Sequence, residues 1–349
     1  MADAHIDNAV VEGIDADDVT AWFANHVPEA RPPLRFELIA GGRSNLTYSV
    51  IDDVGGRWVL RRPPMGHVLA TAHDMGREHR IIAALQDTNV PVPPAVGLSA
   101  DDSVNGAPFY VMGFVDGPIV RNAAVATQLS LAARAQASRS LVDVLARIHA
   151  VDLDAVGLDD LGRHEGYIER QLKRWQGQWE KSKTRELPVI DAVHDRLAES
   201  VPEQGPAAIV HGDYRLDNCI ASEDGDIRAV LDWELCTLGD PLADLGLLLV
   251  YWSEESDSFM PLFAPATIAP GFPKRDDVRE RYAEKSGRDL GQIDFFMALG
   301  FWKLAIILEG VYARYASGQY GKTDEGFQEF AKIVERLADA ADEAANRLP

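Results

Sequence analysis

Two short segments carry the residues best suited to chemistry. His211-Gly212-Asp213-Tyr214-Arg215-Leu216-Asp217-Asn218 sits just after the apolar run Ala208–Val210, and Val230-Leu231-Asp232-Trp233-Glu234 follows twelve residues on. Between them Cys219–Ala221 and Ile227–Leu231 flank Asp224-Gly225, a hairpin signal. Asn218 precedes the first strand of that hairpin and Asp232 follows the second. In an antiparallel pair these positions lie at the same end, and the loop carrying Asp213 enters there too. Singly, Asp and Asn after short strands are turn formers, and a lone His is a hydrogen-bonded structural residue. Together, one carboxylate can take a proton from a hydroxyl, while an Asp and an Asn hold Mg²⁺ against phosphates. That chemistry is phosphoryl transfer.

An Asp with a His two residues before it and an Asn five residues after it has the spacing of kinase catalytic loops. HGDYRLDN and VLDWELCTLGDPLADLG resemble the aminoglycoside phosphotransferase / choline kinase-like family, from about residue 40 to about residue 318. YIERQLKRW, WELCTLGDPLADLG and LEGVYARYASG resemble most the subgroup related to kinase domains of acyl-CoA dehydrogenase-type proteins. The resemblance implies an α+β, bilobal, protein-kinase-like fold with ATP or GTP in the cleft. It makes Asp213 the catalytic base and Asn218 and Asp232 the Mg²⁺ ligands. The implied activity is an ATP-dependent small-molecule kinase, with a hydroxyl of an aminoglycoside-like or hydroxyacyl compound as acceptor. Asp240-Pro241 follows Asp232 too closely for a protein-kinase activation segment, which favours a small acceptor. A nucleotide-binding pseudokinase that regulates a partner is the alternative, and it would ordinarily have lost one of the three polar residues.

The elements that must position these groups follow from periodicity. Residues 1–116 read as a mixed, sheet-containing nucleotide-binding lobe. It holds strands over Arg35–Ala40, Leu46–Ile51, Arg57–Arg61, Ala95–Ser99 and Pro108–Phe114, with helices over Asp17–His26 and Asp74–Gln86. Residues 117–349 read as a mainly helical catalytic and substrate lobe, beginning at Asp116-Gly117-Pro118. Helices are expected over Leu131–Ala150, Glu165–Lys183, Val189–Glu199, Phe295–Ala316 and Glu325–Ala345.

Glu78 falls on the apolar face of its helix with Ile81, Ile82 and Leu85, a costly position without a partner. By the resemblance a strand-borne cation pairs with it and holds the phosphates. The family's usual Lys is replaced by Arg61 in the run WVLRR, and Arg62 is the competing candidate. The alternative is that both arginines form a solvated strand end. Gly41-Gly42-Arg43-Ser44-Asn45 would cover the phosphates with backbone N–H groups, with Gly42 and Ser44 as contacts, although a plain hairpin turn fits that stretch as well. Phe109–Val115 resembles the hinge between lobes. Met112 would border the base, and the Gly113 carbonyl and Val115 N–H would bond its edge. Asp240 and Asp244 read as caps and braces, and Trp175 and Trp179 as core packing, with the lining of a substrate pocket as the alternative.

Composition narrows the class. The 349 residues carry a formal net charge of −21, which repels nucleic acid and anionic membranes and keeps a protein soluble. Two cysteines give no disulfide framework. Met1–Gly13 has acidic residues and no long apolar run, so a signal peptide is not expected and a cytoplasmic location is. The apolar stretch Phe295–Ala313 is broken by Lys303 and Glu309, which favours a buried core helix over a membrane span.

Overall fold

The computed structural model describes residues 11–40, 45–65, 73–257, 265–317 and 327–348. The chain divides into two compact units. The first comprises residues 1–116 with 229–234, and the second comprises the remainder.

Among the described residues the first unit is a five-stranded antiparallel sheet with two helices. Its strands are β1 (Arg35–Ala40), β2 (Leu46–Ile51), β3 (Arg57–Arg62), β4 (Ala95–Ser99) and β5 (Phe109–Gly113), in spatial order β1-β2-β3-β5-β4. Helix α1 (Ala16–His26) is capped by the Asp15 side chain, which accepts from Asp18 N. Its Val19, Trp22 and Phe23 pack with Tyr48, Val50, Trp58, Leu60 and Val111 from the sheet, forming one core. Helix α2 (Met75–Leu85) is capped by Asp74 in the same way and buries Ile81, Ile82 and Leu85, along with Glu78. The segment 229–234 joins this unit through Val230 N, which donates to Pro91 O at 2.9 Å.

Strand β3 decides a face. Thr47 and Tyr110 are the cross-strand partners of Arg61, whereas Leu60 pairs with Tyr48 and Val111 in the α1-side core. Alternation therefore sends Arg61 to one face of the sheet and Arg62 to the other. Arg62 is spent on the α1 side, where its guanidinium donates to the carbonyls of Gly13 and Asn105.

The second unit is mainly helical. It contains α3 (Ala123–Ala126), α4 (Leu131–Ile148), α5 (Tyr167–Ser182), α6 (Pro188–Glu199), α7 (Leu242–Tyr251), α8 (Arg275–Ser286), α9 (Ile293–Ala316) and α10 (Phe327–Ala345). Two small sheets interrupt the helices. Strand β6 (Ala208–Val210) pairs antiparallel with β9 (Thr237–Gly239), and β7 (Cys219–Ala221) pairs with β8 (Ile227–Val230), whose last two residues group with the first unit. Helix α9 is long and apolar enough to cross a membrane, but 67% of its most apolar stretch is buried. It packs against α5, α6, α7 and α10 as a core helix does. The two cysteines are buried and form no disulfide.

Helices α3 and α8 and strand β9 are not among the elements expected from the sequence. Helix α8 buries only Val278 and Tyr282, one turn apart on an otherwise charged helix, so it offers little apolar periodicity. Strand β9 is three residues long and exists because β6 needs a partner for its buried backbone groups. Trp175 and Trp179 are buried in the second unit, as core packing requires.

Candidate active site

In the first unit, four polar side chains gather on the α2-facing side of the sheet. Glu78, 1% exposed, receives Asn45 Nδ2 on Oε1 at 2.7 Å and the Tyr110 hydroxyl on Oε2 at 3.0 Å. Arg61 Nη2 lies 3.5 Å from the same Glu78 oxygen and 3.0 Å from Asp232 Oδ1. Burial, with the Asp232 charge, holds the Glu78 carboxyl above its ordinary range, and the Arg61 charge and the two donated hydrogen bonds offset only part of that rise. Burial also lifts the Tyr110 hydroxyl, so it stays a donor to Glu78. The Arg61 guanidinium is held more firmly charged than usual. Burial opposes this, but the Glu78 and Asp232 carboxylates outweigh it.

Asp232 has φ +65°, and it is the only non-glycine with positive φ among the described residues. Asp tolerates the left-handed region at a cost on the order of 1 kcal/mol, and such strain concentrates at functional sites. Trp233 is fully buried beside it and its indole donates to Val230 O at 3.1 Å, which fixes the turn.

In the second unit, the loop after β6 is built around Asp213. Gly212 has φ +86°, and a Cβ there would lie 2.9 Å from the Leu235 carbonyl oxygen, so only glycine fits. Asp244, inside the first turn of α7, accepts from His211 N at 2.6 Å and from Gly212 N at 2.8 Å. Burial raises the Asp244 carboxyl, but hydrogen bonds from His149 and Gly212 and the charges of His149 and His211 leave it net lowered, so it stays ionised. Thus Asp244 braces the loop, while Asp240 turns the chain into α7 by accepting from Leu242 N at 2.9 Å. Lys303 Nζ, from α9, donates to Gly212 O at 2.9 Å.

The Asp213 carboxylate is oriented by its neighbours. Asn218 Nδ2 donates to Asp213 Oδ2 at 2.9 Å and to the Asp213 carbonyl at 2.8 Å. Both amide protons are thus turned toward Asp213. Arg215 Nε lies 3.3 Å from Asp213 Oδ2, and Arg215 Nη1 lies 3.0 Å from Asp217. Burial raises the Tyr251 hydroxyl, as does the Asp213 carboxylate to which it is hydrogen-bonded.

A loop carboxylate held by an amide and a guanidinium, and a buried Arg–Glu pair beside a strained Asp, are parts found in phosphotransferases. The sequence profile of the phosphotransferase enzyme family matches residues 35–296, three quarters of the chain. The chain belongs to that family. As a phosphotransferase-family chain it is 36% identical over 313 residues to mouse acyl-CoA dehydrogenase family member 10, which covers 88% of this chain and 29% of the relative. It therefore spans less than a third of that relative's length. Among solved structures, a Ralstonia eutropha chain named for the aminoglycoside phosphotransferases matches with a TM-score of 0.82 and 31% identity, covering 96% of this chain and 99% of that one. Aminoglycoside phosphotransferase APH(4)-Ia, solved with AMP-PNP and hygromycin B, shares the fold at a TM-score of 0.61 and 15% identity, over 94% and 99% of the two chains. The α+β kinase-like architecture is therefore the family's own.

Of the residues singled out from sequence, Arg61, Glu78 and Asp232 meet in the first unit, and Asp213 and Asn218 meet in the second. Met112 and Gly113 end β5. Met112 is buried opposite Val59 and Ala95, and Gly113 N donates to Pro94 O at 2.8 Å. Val115, two residues past β5, is partly exposed. Gly42 and Ser44 lie outside the described residues. Asn45, Tyr110, Arg215, Glu234 and Tyr251 were not singled out as site residues. Arg215 and Glu234 stand inside the two motifs and could have been, whereas Tyr110 and Tyr251 enter only through tertiary packing.

Proposed function

We propose that this chain transfers the γ-phosphoryl group of ATP or GTP to a hydroxyl of a small molecule. The observation that carries the reading is the Asp213 carboxylate, a quarter exposed and fixed by the Asn218 amide at 2.9 Å and by Arg215. A carboxylate so oriented can accept the proton of an acceptor hydroxyl as its oxygen attacks the γ-phosphorus and the bond to the β-phosphate oxygen breaks. Arg61, kept charged beside Glu78, supplies the cation for the phosphates. Gly42, Ser44, Met112, Gly113 and Val115 are the remaining nucleotide contacts in this reading.

The donor set fits magnesium: the Asn218 carboxamide oxygen and the Asp232 carboxylate are hard oxygen ligands, and Mg²⁺ takes one or two of these with substrate phosphates completing its shell. When bound, the ion would neutralise charge on the phosphates.

A hydroxylated metabolite of the hydroxyacyl type is the acceptor we favour, supported by the relative named as an acyl-CoA dehydrogenase family member. The neighbour solved with hygromycin B supports the aminoglycoside alternative. The test is Mg²⁺-dependent ATP consumption against a panel of hydroxy acids, their thioesters and aminoglycosides. The expected result is turnover with one class, lost in Asp213→Asn. A folded wild-type chain that neither binds Mg·ATP nor consumes it with any acceptor would overturn the reading.

A further inference from the structure

Asn45 ends the glycine-rich stretch and immediately precedes β2, yet it is only 4% exposed. All of its hydrogen-bonding edges are used. Nδ2 donates to Glu78 Oε1 at 2.7 Å and to Glu234 Oε2 at 3.3 Å, and Oδ1 faces His73 Nδ1 at 2.8 Å. The amide orientation is dictated by its surroundings, since the flipped form would turn an oxygen toward two carboxylates. Glu78 lies on α2, the partner of Arg61, and Glu234 is two residues past Asp232 in the strained turn. One side chain thus touches both carboxylate-bearing elements of the cluster.

We propose that Asn45 is a positioning residue for nucleotide binding: its amide joins the start of β2 to Glu78 on α2 and to the Asp232–Glu234 turn, so that β2, α2 and the turn are set together. The proposal rests on the phosphotransferase reading above. The physical need is plain. Two buried or half-buried carboxylates at one spot repel unless a donor stands between them, and a neutral amide with two N–H groups satisfies both without adding charge. Without it, Glu78 loses its shortest hydrogen bond and Arg61 loses a well-placed counter-ion.

The experiment measures calorimetric affinity for Mg·AMP-PNP in Asn45→Ala and Asn45→Asp, with thermal midpoints taken alongside. Loss of a hydrogen bond to a charged group predicts affinity weaker by about tenfold in Asn45→Ala. Asn45→Asp keeps the shape and adds a third carboxylate, so it should bind more weakly still. It also serves should Asn45→Ala fail to fold. In a Glu234→Gln background the Asn45→Ala loss should shrink, because one of the two carboxylates no longer needs the clip. General damage to the fold would not produce that coupling. Unchanged affinity in a folded Asn45 variant, or the same loss with and without Glu234→Gln, overturns the inference alone. A wild-type chain that does not bind Mg·AMP-PNP overturns it together with the functional reading.

Discussion

Arg61 Nη2 stands 3.0 Å from Asp232 Oδ1, nearer than to Glu78 at 3.5 Å. Arg61 is thus shared between a helix carboxylate and the carboxylate proposed to bind the metal. A guanidinium reaches two acceptors where an ammonium would act as a point charge. Removing Arg61, Glu78 or Asp232 therefore disturbs one unit of charge balance and not three separate contacts.

This sharing makes a double-mutant cycle informative. Arg61→Ala and Glu78→Ala should each raise KM for ATP, and together they should do less than the sum, with a coupling on the order of 0.5–3 kcal/mol. Arg61→Lys should keep part of the activity. Additive effects would show that the 3.5 Å pair is idle in catalysis, and a coupled loss in Arg62→Ala would contradict the face assignment of β3.

Asp213→Asn should keep nucleotide affinity and lower kcat by ~10²–10⁴-fold, the usual contribution of a positioned general base. Steady-state kinetics on the acceptor found in the panel decide the matter. Full turnover by the folded variant would remove Asp213 from the mechanism.

Asp232→Ala should weaken binding of Mg·AMP-PNP far more than binding of metal-free AMP-PNP. Equal losses in the two titrations would mark Asp232 as a structural partner of Arg61 only.

The brace beneath the loop predicts a pH dependence of stability. Burial holds the His149 imidazole below its ordinary pKa despite the Asp244 carboxylate 3.3 Å away. The unfolded chain then binds the proton more readily than the folded one, so stability rises with pH through the lowered folded value and levels off above about 6.5, the unfolded value. Asp244, lowered in the fold, contributes stability above its unfolded value near 4 and loses it as pH falls further. Denaturant midpoints should therefore drop on acidification below about pH 6.5, and His149→Gln should flatten the upper part of that slope. A slope unchanged in His149→Gln would place the titrating group elsewhere. At neutral pH, Asp244→Ala should cost at least about 2 kcal/mol, because two buried N–H groups lose their acceptor.

What the sequence determined by itself was local and contiguous. Asp213 and Asn218 share one loop, so their spacing alone places the amide against the carboxylate. The strands of the first unit are short runs bounded by turn signals, Leu46–Ile51 among them alternating apolar and polar residues, and α2 shows its apolar stripe, so the sheet and the misplaced Glu78 were legible. Short or charged elements were not: α8 and β9 are held by what packs on them and carry little pattern of their own. The choice between Arg61 and Arg62 was likewise decided only in three dimensions. Two adjacent arginines on a strand are equivalent in sequence, and the pleat sends one to Glu78 and the other to the carbonyls of Gly13 and Asn105. The roles of Tyr110, Tyr251 and Asn45 come from the same source. Hydrogen-bond partners dozens of residues apart become neighbours only when the core closes, and no local periodicity encodes that closure.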